Sequence, residues 1–363
     1  MDSCLPKPEL GGQKPSVRTP MPPAATTPPR PLPKVTVAIA TYNRAQLLRQ
    51  ALATIVAQDY PPDRVEILVI DGSSTPDTRA AVESFAAANP VPKWIGQTTQ
   101  GLNHARNRAV REASGEIIVF ADDDILAPPD WLRKMALAFG DVSERRVAAL
   151  GGTVVNVFHD RCPDWLPQWK KPLKFGERLH PLPEGQCPMG ANMAFARWVF
   201  DQIGLFRADI DGKAGRPTFG DEAELFRRVR RAGYAVWFEP EAAVQHQIPP
   251  GRLTLKYACR HAFDSGHSRV VVKLRCESAG RGEALGFLVS RWLANLFKCF
   301  ALALLCGLCF VLGQPTRGKA NLVRAMRAAG YLHAIPLALF RGDWLAAASR
   351  HRLSSSSETT LRR

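Results

Sequence analysis

An apolar run, Ile117 to Ala121, stops abruptly at three consecutive carboxylates, Asp122, Asp123 and Asp124. β-Branched and aromatic residues without alternation read as a strand buried on both faces, the mark of a parallel sheet covered by helices. Three carboxylates at the tip of such a strand repel one another unless a cation stands between them. Open α/β sheets bind ligands beyond the carboxyl ends of their strands, and a hard divalent cation shared with a ligand's phosphates meets both conditions. The alternative is an acidic turn leading into the helix predicted to start near Pro128-Pro129-Asp130-Trp131.

The residues around this run repeat the same grammar. Val35 to Thr41 is a second β-branched strand, followed by Tyr42-Asn43-Arg44 and by helical spacing from Ala45 to Asp59 that Pro61-Pro62 stops. Val65 to Ile70 is a third strand and ends in Asp71-Gly72-Ser73-Ser74; a helix is expected from Pro76 to Ala88, with Thr75 as its N-cap. Gly101 to Arg108 opens another helix. Strand-helix alternation implies parallel pairing with right-handed crossovers, so the tips Thr41, Asp71 and Asp122 converge on one edge.

These segments resemble the ordered motifs of the family 2 inverting glycosyltransferases. Val37-Ala-Ile-Ala-Thr-Tyr-Asn-Arg44, Val69-Ile-Asp-Gly-Ser-Ser74, Gly101-Leu-Asn-His-Ala-Arg-Asn107 and Phe120-Ala-Asp-Asp-Asp124 carry the likeness, which runs from about Val35 to Gln247. It implies a GT-A fold, a nucleotide-diphospho-sugar donor and Mg²⁺ or Mn²⁺. Thr41 and Tyr42 would then line the base and ribose, with Arg44 beside them. Asp71 would accept a hydrogen bond from base or ribose, although Gly72 stands where relatives often carry an acid or amide. Arg106 matches a basic residue near the nucleotide, and its forked donors suit a diphosphate. Asp122 would face ribose and metal, Asp124 would be the principal metal ligand, and Asp123 between them is read as facing solvent. Met189-Gly-Ala-Asn-Met-Ala-Phe195 resembles the segment under donor sugar and acceptor: Gly190 permits close backbone approach and Asn192 offers donor and acceptor groups to a sugar hydroxyl. Gly220-Asp-Glu-Ala-Glu-Leu-Phe226 resembles the acidic motif of the general base. The usual order is Glu then Asp. Here it is reversed, so Glu222 is the position-matched base and Asp221 its contender. His246 matches a histidine near metal or diphosphate.

Inverting transfer needs one carboxylate to deprotonate the acceptor hydroxyl during in-line attack. Two acids at a helix start also favour its dipole. Residues 150–185, with Trp165 and Trp169, are expected as a long irregular connection, either a sugar- or lipid-binding lid or a cover for the core.

Outside this span, residues 1–33 hold ten of the 29 prolines and read as a disordered tail without the apolar stretch of a signal peptide. Net charge is +15, which predicts an anionic partner; no motif of the nucleic-acid-binding kinds is present, so nucleic acid is set aside. The eight cysteines form no framework, which points to a reducing compartment, and Cys306-x-x-Cys309 has metal or redox spacing but no second pair. Leu293 to Leu312 is almost wholly apolar and about 20 residues long, enough for a membrane span. A weaker segment, Tyr331 to Phe340, is interrupted by Pro336. Nine Lys/Arg against two acids after Gly313 suit anionic headgroups on a cytoplasmic face. A helical hairpin or in-plane anchor is preferred to a single span, because Arg281 and Arg291 flank the other end.

The expectation is therefore an α/β chain: a mostly parallel, Rossmann-like GT-A sheet over residues 34–250, a helical membrane-associated region over 251–345, and a tail over 346–363. Its function would be metal-dependent inverting transfer of a sugar from a nucleotide-diphospho-sugar to a glycan or lipid-linked acceptor at an anionic membrane surface, in cell-surface glycan or glycolipid synthesis. The alternatives are a degenerate nucleotide-sugar-binding scaffold and a nucleotidyltransferase. The latter calls for a Gly-rich phosphate loop after the first strand, and Tyr42-Asn43-Arg44-Ala45 is not one.

Overall fold

β1 (Val35–Thr41) is buried along almost its whole length because its two faces serve two different cores. Val35, Val37 and Ile39 face one cluster; Ala38, one pleat over, faces the other. A strand covered on both sides has no polar face, which is why its sequence does not alternate. The computed structural model describes residues 31–73, 75–141, 147–211, 219–277 and 281–342. The proline-rich start up to residue 30 and the tail expected from 346 lie outside the described residues.

After β1 the chain runs through α1 (Ala45–Val56), β2 (Val65–Asp71), α2 (Asp77–Glu83), β3 (Lys93–Gly96), α3 (Leu102–Glu112), β4 (Ile117–Asp122), β5 (Ile125–Leu126) and α4 (Trp131–Asp141). Then follow β6 (Ala149–Phe158), β7 (His180–Pro181), β8 (Asn192–Ala196), α5 (Val199–Ile203), α6 (Asp221–Arg231) and β9 (Val236–Ile248). The nine strands form one sheet in the order β3-β2-β1-β4-β8-β6-β9-β5, with β7 on β9. Pairing is parallel from β3 to β4, and β8 enters antiparallel between β4 and β6. Beyond it β6 and β9 are again parallel, so the sheet is parallel in its first half and mixed in its second.

Register decides what meets at the carboxyl edge. Thr41 pairs with Asp71, and Ala40 with Asp122, so the expected tips lie side by side. The two-residue β5 pairs antiparallel with β9, placing Ile125 opposite His246. That short pairing brings a histidine more than 120 residues downstream of the acidic run beside Asp124.

Residues 150–185 differ from expectation. They begin with most of the ten-residue β6, whose Gly151-Gly152 near its start interrupts the apolar pattern that would have identified it. Trp165 and Trp169 pack around Cys162, Leu166 and Ala258 rather than standing open to solvent.

Three long helices complete the described chain: α7 (Leu255–Val272), α8 (Arg281–Val311) and α9 (Pro315–Phe340). α9 turns back at Gly313 and packs against both others, and its approach to α7 is tight. A Cβ on Gly266 would stand 2.1 Å from the Arg327 carbonyl oxygen, and one on Gly330 would stand 2.1 Å from that of Phe263.

Candidate active site

The acidic tip of β4 folds into a buried charge cluster. Thr41 Oγ1 donates to Asp123 Oδ2 at 2.7 Å, and the Arg44 guanidinium reaches Asp123 Oδ1 at 3.0 Å and Asp124 Oδ2 at 3.2 Å. Asp123 is therefore not the solvent-facing spacer expected of it. It is 3% exposed and serves as the strut between β1 and the start of α1. Burial pushes its carboxyl up to about 6, against the pull of Arg44 and Thr41.

Asp122, Asp124 and His246 bring one ligand atom each to within 4.8 Å of one another. The hydrogen bonds behind His246 assign its tautomer. Asn156 Nδ2 donates to the Trp169 carbonyl at 2.9 Å, so Asn156 Oδ1 is the atom 3.0 Å from His246 Nδ1, and Nδ1 must carry the hydrogen. Nε2 then presents a lone pair 3.1 Å from Asp124 Oδ1, a buried oxygen without a hydrogen-bond donor. Two lone pairs at that separation repel unless a proton or a metal ion is shared between them. An imidazole whose far nitrogen donates to an acceptor is also the usual arrangement of a metal-bound histidine. The donor set, two carboxylates and one imidazole, fits a divalent cation. Burial and the neighbouring Asp124 charge raise the Asp122 carboxyl above its ordinary range. With the proton on Nε2, Asp124 is held below its range: burial opposes ionisation, but the hydrogen bond and charge of that protonated His246, then Arg252 and Arg44, outweigh it.

Arg252 was not anticipated from the sequence. It lies 3.1 Å from Asp124 Oδ2 and 3.4 Å from His246 Nε2. The signal was Pro249-Pro-Gly-Arg252, a tight 3₁₀ turn that folds the chain back on the strand carrying His246. Asn156 was also missed, because it lies in the stretch expected to be irregular.

The second cluster lies at the start of α6. Arg106 Nη1 meets Asp221 at 2.8 Å and Nη2 meets Glu222 at 3.3 Å. Both guanidinium edges thus face carboxylates, and Arg106 is 3% exposed, which corrects its expected placement against an open diphosphate. Asp221 is raised well above its usual range by burial and the Glu222 charge. Burial works the same way on Glu222, but Arg106 and a hydrogen bond with Asp221 hold it below its range. Cys187, beside the pair, is pushed up to about 12 by burial and then by these acids, and stays a thiol. Glu222 and Arg106 both bear electrostatically on Asp122, so the two clusters lie within reach of each other's charge.

Asn192 needs correction. It is fully buried and its amide is committed within the protein: Oδ1 accepts from Trp131 Nε1 at 3.0 Å, and Nδ2 donates to the carbonyls of Thr153 and Ala242 at 2.9 and 2.8 Å. It ties α4, β6 and β9 together instead of facing a sugar. Asp71 accepts from the Ser73 amide at 2.8 Å and from Trp94 Nε1 at 2.9 Å at the edge of the sheet. Tyr42 is 41% exposed, an aromatic face open beside Thr41.

Comparison with known proteins bears on this geometry. Residues 36–204 match the family model described as Glycosyl transferase family 2. The chain is 25% identical over 250 residues to the glucosyl-dolichyl phosphate glucuronosyltransferase of Haloferax volcanii, covering 66% of this chain and 78% of that protein. It is 24% identical over 246 residues to the succinoglycan biosynthesis protein ExoM of Rhizobium meliloti, covering 66% and 75%. Among solved structures, a mannosyltransferase of Pyrobaculum calidifontis, determined with GDP-Man and Mn²⁺, superposes with a TM-score of 0.53 at 23% identity, covering 84% of this chain and 86% of its own. With the curled α/β sheet and its metal-competent edge, these matches make the chain a glycosyltransferase that carries a family 2 domain on the GT-A, nucleotide-sugar-binding fold.

Proposed function

We propose that the chain transfers a sugar, with inversion, from a nucleotide-diphospho-sugar to a hydroxyl of a glycan or lipid-linked acceptor at the cytoplasmic face of a membrane. The observation that carries this reading is a metal-competent Asp122-Asp124-His246 set at the sheet edge together with an Asp221-Glu222 carboxylate pair held on the Arg106 guanidinium.

Asp122, Asp124 and His246 would hold Mg²⁺ or Mn²⁺, which when bound would supply charge neutralisation for the departing diphosphate. Thr41, Tyr42 and Asp71 border the region where base and ribose would lie. Arg44 and Arg252 add two guanidinium groups at the same edge, suited to phosphate oxygens. Glu222, ionised and the more accessible of the acid pair, takes the proton of the acceptor hydroxyl. The acceptor oxygen bonds to the anomeric carbon as that carbon's bond to the diphosphate breaks, and the nucleoside diphosphate leaves. One base suffices, because the configuration inverts in a single displacement.

The membrane reading is supported by α8. It is 31 residues long, and almost none of its apolar stretch is buried within the protein (6%). Among the relatives, the Haloferax protein is named for a dolichyl-phosphate-linked substrate.

The deciding experiment offers the purified protein a panel of nucleotide-sugars with Mn²⁺ or Mg²⁺ and follows nucleotide release. Release from one donor that stops with EDTA is expected. Equal release in EDTA would remove the metal from the reading, and the absence of both release and donor binding across the panel would overturn glycosyl transfer.

A further inference from the structure

We propose that Arg106 is a positioning residue for the general base: it bridges Asp221 and Glu222 from beneath, holding Glu222 ionised and aimed into the cleft while Asp221 keeps the pair's single proton. The inference rests on the glycosyl-transfer reading above and deepens it.

The geometry is that of a planar fork spanning two acids. Its two terminal nitrogens contact different carboxylates, at 2.8 and 3.3 Å, which a lysine's point charge reproduces poorly. The remaining sides of the guanidinium are walled. The Phe206 ring lies 5.4 Å from its central carbon. The backbone of Gly190 passes directly over the Arg106–Glu222 contact, so that a Cβ there would fall 2.2 Å from Arg106 Nη2 and 2.3 Å from Glu222 Oε1. A diphosphate would have to displace these neighbours to reach Arg106. Glycine at 190 thus leaves the room that the Arg106–Glu222 contact occupies.

Charge bookkeeping then divides the roles. One guanidinium offsets one carboxylate, and a second uncompensated charge in a buried site is costly. Asp122 on β4, a candidate metal ligand, lies within electrostatic reach of Glu222 and Arg106, and Cys187 adds no charge while it remains a thiol. One proton therefore stays on the pair. Asp221, at 5% side-chain exposure, is the more enclosed, whereas Glu222, at 22%, is the one an acceptor can reach. The opposite directions of their shifts agree with this division.

The test uses the full chain with Arg106→Gln and Arg106→Lys, each checked by thermal unfolding. In Arg106→Gln the acidic limb of the kcat–pH profile is expected to move up by about 1–3 pH units, with activity recovering toward alkaline pH. Donor KM should change by less than about threefold, as for an interaction that does not bind donor. Arg106→Lys should give an intermediate limb, and it carries the test if the glutamine variant does not fold. A donor KM raised about tenfold or more with an unmoved limb would overturn the proposal in favour of a diphosphate contact. A second readout needs no turnover: in a difference-infrared pH titration one carboxyl of Arg106→Gln should take up its proton about 1–3 pH units higher than in wild type, and an unchanged titration would also overturn it. A wild-type chain that releases nucleotide from no donor would sink the glycosyl-transfer reading, while the infrared result would still decide the hold of Arg106 on the pair.

Discussion

At the scale of single residues, the site is organised by carboxylates in unlike surroundings. Glu222→Gln removes the proposed base, and kcat should fall about 100-fold or more, with donor affinity retained. Asp221→Asn imitates a carboxyl that is already protonated, so its loss should be limited to that of one hydrogen bond, about tenfold. Steady-state kinetics on both variants decide between them, and the reverse ranking would make Asp221 the base. Asp123 gives a different signal. Its carboxyl, pushed by burial from an ordinary 3.8 to about 6, binds protons more tightly folded than unfolded. Stability from this group is therefore full below about pH 4 and is lost as pH rises through about 6; the loss at neutral pH amounts to about 3 kcal/mol. Asp123→Asn avoids that loss, so in EDTA its Tm should exceed that of wild type at pH 7.5, and the gap should narrow at pH 4.5. A gap independent of pH would show that Asp123 is not held in this state. At this scale the sequence was informative about residue types but not partners. Asp122, Asp124 and His246 were named from their motifs. Asn192 and Arg106 were given open, ligand-facing roles because sequence does not report that Trp131, Thr153 and Ala242 enclose the one and two carboxylates engage the other.

Among the elements, β1, β2 and β4 were legible almost to the residue, because strands buried on both faces are continuous apolar runs with abrupt ends. β6 was not, because glycine carries no hydropathy signal and a strand with Gly151-Gly152 near its start looks like a break. The two-residue β5 is too short to have any periodicity, yet its pairing with β9 positions His246. The helical region makes its own prediction. Gly266 and Gly330 allow α7 and α9 to touch backbone to backbone, so alanine at either should destabilise the protein by about 1–3 kcal/mol through overpacking. Gly307 on α8 has nothing within 4 Å, and alanine there should be neutral or stabilising by up to about 1 kcal/mol through helix propensity. Denaturation of the three variants in the same detergent measures both effects. Equal responses at all three positions would mean that the α7–α9 contact does not exist in solution.

For the molecule as a whole, the proposed membrane association turns on α8, a helix long and apolar enough to cross a bilayer. Phe297, Phe300, Leu304, Leu308 and Val311 are exposed along it. α9 runs back beside α8 from Gly313 with Arg324 and Arg327 also exposed, about 14 and 18 Å beyond Pro315 at the helical rise. If α8 crossed the membrane, both cations would sit in hydrocarbon, at a cost of several kcal/mol. A hairpin lying in one leaflet lets α8 bury its apolar side while those cations reach the headgroups. Flotation with vesicles should thus show binding that is stronger on anionic than on neutral lipid and is weakened by Phe297→Ser with Phe300→Ser. Protection of the α8–α9 turn on the far side of sealed vesicles would show a span instead. What the sequence determined by itself was whatever is encoded locally: the buried strands, the acidic strand tip, the reversed Asp221-Glu222 pair and the apolar helix are contiguous and carry their chemistry in residue type and spacing. What only the tertiary structure decided was which side chains satisfy one another. The tautomer of His246, the arrival of Arg252, the enclosure of Asn192 and the fork of Arg106 under the acid pair all depend on contacts between residues far apart in the chain. Burial then sets the ionisation of the acid pair, and no local pattern encodes how deeply a carboxylate is enclosed or which charge lies against it.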